Sequence, residues 1–525
     1  MTAPEKYVLA VDLGTSGCKA AIVSIHGDVV AWEFERVDTL LFPNGGAEQD
    51  PNAWWDAFRR VAKKLVGQGS VSARQIIAVC CSTQGECTVP VDADGQPLMN
   101  AILWMDARGA EHLRLHMKGL KIAGYPALRL WHWIRLTGGA PSLTGKDPAA
   151  HMLYIRNEHP NIYERTYKFL NALDYLNLRL TGRFVATYDS ILTSWVTDNR
   201  RGNVAYSSAL LAACGIAPDK FPDIVKCTDV IGVLRTDVAA EIGLSTDVVV
   251  VAGAIDNTAA AVGSGAVRDY DTHLYIGTSS WLGAHVAFKK TDIVSSLASV
   301  PCAVPGRYLL TALQATAGGN LTFLRDKILY HKDELLHEEN VADVYKIMDR
   351  IAERTPAGSH GVLYTPWIYG ERAPAEDHTV RAAIYNLSLE NSRADIIRAV
   401  LEGVAFNTRW LLQPFEKFLG RPLEYINIVG GGAASNVWCQ IFADVLNRRI
   451  RQVKEPIQAN VRGAAFIAAV GLGELSYDDI PACTEYQGEY TPTTAHRAVY
   501  DTYFREFVNI YKRNKQIYRR LNRHR

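Results

Sequence analysis

Asp12 follows the apolar run Tyr7 to Val11 and opens the phrase DLGTSGCK, where Gly14, Thr15, Ser16, Gly17 and Lys19 bring together bare backbone, two hydroxyls and a cation. Such a turn suits a phosphoryl group with its magnesium, because exposed N–H groups form an anion site and the carboxylate holds the water shell of the metal. A plain D-x-G hairpin tip fits the same residues equally well. The phrase returns about half a chain later: LGTS at Leu13–Ser16 is echoed by IGTS at Ile276–Ser279, so Gly277, Thr278 and Ser279 offer a second donor cluster. Just upstream, VVVVAGAIDNTAAAVG sets Asp256 and Asn257 between a valine-rich strand and a small-residue helix. An acid there suits an N-cap, and suits a catalytic base almost as well. Gly430, Gly431 and Gly432 stand between another strand and helix, open either to a flat base or to close backbone packing.

The common nucleotide motifs do not account for these phrases. The nearest approach to a Walker A loop, Gly139 to Asp147, has one residue too many between its glycines and an aspartate after Lys146. GGGAAS at Gly430 carries Ser435 where a dinucleotide fingerprint needs its last glycine. Nucleotide binding, if present, uses another architecture.

The elements that would position these residues alternate in type. Tyr7–Val11 and Lys19–Ile25 read as a hairpin, Ile76–Cys81 as a buried strand and Thr272–Ile276 as the start of a second hairpin. Pro51–Val66 reads as a helix capped by Asp50, and Asp395–Phe418 as a long helix. Repetition at half length predicts two related α/β domains facing a shared cleft. The turn-rich Gly263–Asp271 is expected to be a tight hinge.

Composition narrows the partners. The 525 residues carry 56 Lys+Arg against 55 Asp+Glu, so no whole-protein field points to nucleic acid or membrane. The longest apolar stretch, Val248–Val262, is broken by Asp256 and Asn257 and falls short of the ~18 residues of a spanning helix. No secretory signal is read at the N-terminus, and the internal KDEL at Lys332–Leu335 carries no retention meaning. Nine cysteines without C-x-x-C spacing argue against a disulfide framework or zinc, and Cys80 and Cys81 are expected in the core. The expected setting is the cytoplasm. The basic run from Lys512 to Arg525 is expected to be a solvated terminal helix. A homodimer is the default on symmetry statistics.

Taken in order, DLGTSGCK, EQDPNAWW at Glu48, AILWMDARG at Ala101, LDYLNLRLTG at Leu173, GAIDNTAAAVG at Gly253, GTSS at Gly277, YGERAP at Tyr369, VGGGAASN at Val429 and GAAFIAAVGLGE at Gly463 resemble the FGGY family of carbohydrate kinases. Its pentulose-kinase branch, the xylulose kinases above all, is most similar. The resemblance implies an actin-like ATPase fold, with two ribonuclease-H-like α/β domains around a central cleft: residues 1–265 bind sugar and 266–525 bind nucleotide. It implies ATP and Mg2+ as cofactors and a small sugar or polyol as substrate, with a ketopentose such as D-xylulose the best choice, another ketose or a glycerol- or tetrose-like polyol the alternative, and a non-catalytic sugar- or nucleotide-binding actin-like protein the remaining one. Asp256 matches the catalytic aspartate that takes the proton of the attacking hydroxyl. Asp12 and Asp256 are implied near the metal, and Gly14, Thr15, Ser16, Lys19, Gly277, Thr278 and Ser279 near the phosphates. Gly432, Ala433 and Asn436 match the nucleotide-base region, and Asn257 joins the substrate side. The sugar loop departs from the xylulose-kinase pattern: STQGEC places Gly85 and Glu86 where a Met-His pair is usual. Gln84 and Glu86 are closer to the Q-x-E of glycerol kinases, with Gly85 replacing an arginine. Asp106 and Arg108 are implied either to bind hydroxyls or to hold the loop.

Overall fold

The computed structural model describes residues 5–117, 119, 121–122, 124–200, 204–329 and 343–522. The KDEL phrase and the last basic residues, Arg523 and Arg525, lie outside them. Among the described residues, the first sheet has six strands: β1 Tyr7–Gly14, β2 Gly17–Ser24, β3 Val29–Arg36, β4 Ile76–Thr83, β5 Val230–Val233 and β6 Val249–Ile255. They lie in the order β5-β6-β4-β1-β2-β3. The second has eight: β7 Thr272–Ile276, β8 Ser280–Val286, β9 Thr291–Asp292, β10 Leu297–Pro301, β11 Tyr308–Gln314, β12 Tyr425–Val429, β13 Arg449–Val453 and β14 Tyr486–Tyr490, in the order β9-β10-β11-β8-β7-β12-β13-β14.

The two sheets share one plan. In each, an antiparallel triplet (β1-β2-β3 and β7-β8-β11) is extended by two parallel strands (β4 and β6, β12 and β13). The duplicated LGTS and IGTS phrases therefore cap the same hairpin in two copies of the ribonuclease-H-like plan.

The helices that concern the site are α1 Pro51–Gly67, α2 Ala172–Thr181, α3 Asp256–Gly263, α4 Arg393–Leu419, α5 Asn436–Leu446, α6 Ala459–Gly471 and α7 Arg497–Leu521. Helix α1 starts as its sequence dictates: the Asp50 carboxylate accepts from Asn52 N–H, Pro51 fills the first turn, and Trp54, Phe58, Val61 and Leu65 bury one face. Strand alternation divides the first sheet between two covers. Leu9, Val11 and Leu13 face α1 and α2, whereas Val8, Ala10, Ala78, Cys80 and Val251 face Val461, Ala464, Ala465 and Ala468 of α6. Cys80 and Cys81 thus sit in the core on opposite faces, as expected. A helix from late in the chain covers the early sheet, and α3 crosses it there.

The described part of the basic run from Lys512 lies in the last turns of α7 with Lys512, Arg513, Arg519 and Arg520 exposed, as expected, while earlier in the same helix Tyr500, Phe504 and Phe507 are buried in the second core against α4. No described helix is long and apolar enough to cross a membrane.

Candidate active site

The singled-out residues gather at the carboxyl ends of parallel strands: Asp12 in β1, Gln84 and Glu86 after β4, Asp256 after β6, Gly277 after β7 and Gly430 after β12. In open α/β sheets ligands bind along that edge.

Asp256 is the first residue of α3, and its carboxylate accepts from the N–H of Asn257. Burial first, then the negative charge of Asp12, push its pKa up to about 7. Behind it lies a carboxylate that local sequence reading did not single out. Asp189 is fully enclosed; it accepts from Ile255 N–H at 3.0 Å, from Thr187 Oγ1 at 2.6 Å and from Cys227 Sγ at 3.5 Å. Burial raises its pKa and these donors oppose the rise. It clamps the turn that presents Asp256.

In the first hairpin, Asp12 Oδ1 accepts from Asn460 Nδ2 at 3.0 Å, and Lys19 Nζ lies 3.8 Å from Asp12 Oδ2 while donating to Ile457 O at 2.8 Å. Ser16 is exposed at the tip. In the second, Gly277 N–H donates to Ser279 O, and the carbonyls of Gly277 and Thr278 are held by N–H groups of Ala317, Gly318 and Gly319. Thr278 is exposed. Tyr275, which precedes this tip, stacks on Trp281 at 3.9 Å and faces the charges of Asp12 and Asp256.

The sugar-side residues separate into surface and wall. Glu86 is half-buried at φ 59°, a left-handed conformation unusual for glutamate, and burial raises its pKa while the charges of Arg372 and Lys146 oppose the rise. Gln84 belongs to the wall: its Oε1 accepts from Thr15 Oγ1 at 2.8 Å and its Nε2 donates to Gln49 Oε1 at 3.1 Å. Trp104 Nε1 donates to the same Thr15 hydroxyl. Asp106, fully buried, spends its oxygens on Ala47 N–H and on Arg108, which also reaches Glu48 at 2.6 Å. Of the two roles implied for Asp106 and Arg108, this geometry is that of holding the loop. Lys146 and Arg372 were outside the expected set, since nothing in their local sequence places them beside Glu86.

In the nucleotide region, Gly430, at φ 93°, would drive a Cβ to 2.6 Å from Ile276 O, and a Cβ on Gly432 would meet Ile276 Cγ2 at 2.3 Å. These two glycines let strand and helix close-pack. Gly431 instead faces open space, with Ala433 buried beneath and Asn436 exposed at the start of α5, where Asn436 Oδ1 accepts from Gln452 Nε2.

The donor set fits magnesium and a polyphosphate. Asp12 and Asp256 offer hard oxygen donors of the kind magnesium takes; burial and then the charge of Asp12 raise the pKa of Asp256, and a divalent cation there would relieve that repulsion. Gly14, whose nearest would-be Cβ neighbour is 4.0 Å away, and Gly431 leave room for a ligand against bare backbone.

Comparison with known proteins gives this geometry its context. The sequence matches the N-terminal domain of the FGGY family of carbohydrate kinases over residues 7–263 and the C-terminal domain over residues 273–472. The chain belongs to that family. This FGGY kinase is 29% identical over 518 residues to the xylulose kinase of Staphylococcus epidermidis, covering 98% of each chain. It is 26% identical over 486 residues to the gluconokinase of Bacillus licheniformis, covering 90% of this chain and 89% of that one. Its fold is that of the ligand-bound xylulose kinase from Lactobacillus acidophilus, with TM-score 0.84 at 24% identity over 98% of this chain and 100% of the other. It is a sugar kinase, a phosphotransferase with an alcohol group as acceptor, and kinases of its family use ATP, generally with magnesium.

Proposed function

We propose that this FGGY kinase transfers the γ-phosphoryl group of ATP to a hydroxyl of a ketopentose such as D-xylulose, xylulose being the sugar in the names of several relatives. The observation that carries the reading is the placement of Asp256 at the start of α3, after β6, where burial and then the charge of Asp12 raise its pKa to about 7. Its carboxylate takes the proton of the hydroxyl whose oxygen attacks the γ-phosphorus; the bond to the bridging oxygen breaks and ADP leaves. Thr15, Ser16 and Lys19 on one side and Gly277, Thr278 and Ser279 on the other orient the phosphates. Gly432, Ala433 and Asn436 border the base, and Asn257 and Glu86 face the sugar. Asp12 and Asp256 would hold magnesium, which would supply charge neutralisation on the transferring group. Closure of the halves excludes water and aligns the hydroxyl.

A second reading, a sugar acid as acceptor, is favoured by one observation. Lys146 and Arg372 face Glu86, with Asp147 beside Lys146 engaged by other donors and Glu371 and Glu376 also within the field of Arg372. Asp147 accepts from Ala150 N–H and Trp195 Nε1, and Glu371 from Ala315 N–H and Arg372 N–H. ADP release measured with a panel of ketopentoses, ketohexoses, polyols and gluconate tests both. The first reading requires the highest kcat/KM on a ketopentose, and the second on the acid; no sugar-dependent ADP release from folded protein refutes both.

A further inference from the structure

The C-terminal family domain reaches back to the first hairpin, and we infer that Asn460 is a positioning residue for Asp12, holding its carboxylate for the metal and phosphate. The inference rests on the kinase reading of Asp12. Asn460 is nearly fully buried at the second position of α6, with Nδ2 donating to Asp12 Oδ1 at 3.0 Å. Its Oδ1 is buried without a hydrogen-bond partner. A buried amide with an orphan oxygen is costly, and an apolar side chain of the same size would avoid that cost. The bond to Asp12 is the one polar service Asn460 performs among the described residues.

The same short segment fixes the other neighbour of Asp12. Lys19, 3.8 Å from Asp12 Oδ2, donates to Ile457 O at 2.8 Å. Asp12 is thus bracketed, one oxygen by Asn460 and the other by a lysine that Ile457 holds. Helix α6 is packed on the first sheet through Val461, Ala464 and Ala465, and Arg462 Nε donates to Gly27 O at 3.0 Å. The bracket therefore belongs to the body that carries Asp12. A carboxylate fixed in this way loses little freedom when its metal arrives, and partners of this kind around ligands commonly govern affinity and rate by ~10-fold to ~100-fold.

The test uses the full chain and two variants, Asn460→Leu, which keeps the volume, and Asn460→Ala. Binding of Mn2+ in the presence of ADP is followed by electron paramagnetic resonance, and kcat and the KM for sugar are measured separately. Both variants should weaken Mn2+ binding and lower kcat by about tenfold or more while the KM for sugar stays within about twofold. If Asn460→Leu does not fold, judged by circular dichroism, Asn460→Ala carries the same readouts. Mn2+ binding and kcat within about twofold of wild type in a folded variant would overturn the inference, as would losses confined to the KM for sugar. Failure of wild type itself to bind Mn2+ with ADP would instead refute the kinase reading on which the inference stands.

Discussion

Gly263 and Gly463 face one another where α3 and α6 cross, each lying against the backbone of the other helix. A Cβ on Gly263 would fall 1.8 Å from Ala459 O, and one on Gly463 would fall 1.9 Å from Ala259 O. No rotamer relieves a clash with a backbone oxygen, so the helices must part. Gly463→Ala is expected to destabilise by about 3 kcal/mol or more in urea denaturation. Gly67→Ala, at a helical position with nothing within 4 Å, is the control and should be neutral or stabilising by up to about 1 kcal/mol. Equal effects at the two sites would mean that the crossing yields more easily than its geometry states.

Removing the proton acceptor leaves the shape. Asp256→Asn should lower kcat by ~100-fold to ~10,000-fold with nucleotide affinity nearly unchanged, measured by coupled ADP assay and calorimetry. Turnover within about tenfold of wild type in folded protein would take the base role away from Asp256.

Glu86 combines strain with function. Its φ of 59° costs a non-glycine residue about 1 kcal/mol, which glycine would release. Glu86→Gly should therefore melt at the same temperature as wild type or higher, yet raise the KM for sugar about tenfold or more and flatten the ranking of acceptors, because the carboxylate no longer penalises a misplaced hydroxyl. An unchanged ranking across the sugar panel would remove Glu86 from substrate selection.

The second sheet contains two enclosed histidines, His273 and His285, which burial holds at about 3 and about 4, below the ordinary value of 6.5. The unfolded chain binds a proton below 6.5 where these folded imidazoles do not, so each contributes stability that is present above 6.5 and lost as pH falls toward the folded value. At pH 5 the loss is about 2 kcal/mol for each. His273→Leu should shift the stability difference from wild type by about 2 kcal/mol in favour of the variant between pH 7.5 and pH 5, read by urea denaturation. A pH-independent difference would show that His273 titrates alike in the folded and unfolded chain, so that burial does not lower its pKa.

What the sequence disclosed and what it withheld divide by contact distance along the chain. Both hairpins, the strand of Ile76, the capped helix after Asp50 and the strand-to-helix placement of Asp256 were legible, because each depends on near neighbours: apolar periodicity, a cap, a glycine at a tip. The long helix predicted over Asp395–Phe418 spans Arg393–Leu419, its start set by Ser392 and Asp395. Asp189, Asn460, Lys146 and Arg372 reach the site only through folding, and no local pattern marks a buried carboxylate as the clamp of a turn sixty-six residues on. Gln84, read as a sugar-side residue from its type and position, also ties the loop to Thr15 and Gln49, contacts that no local pattern disclosed.

The late cover of the first sheet also has a consequence in time. Strands β1, β4 and β6 leave the ribosome long before Val461, Ala464 and Ala465 of α6, which close their inner face. Synthesis proceeds at ~5–20 residues per second, so the roughly 200 residues between β6 and α6 take on the order of 10–40 s. Throughout that interval Val8, Ala10, Ala78, Cys80 and Val251 form an apolar surface without its native partner. The inner face of the early sheet therefore cannot be completed before α6 has been synthesised.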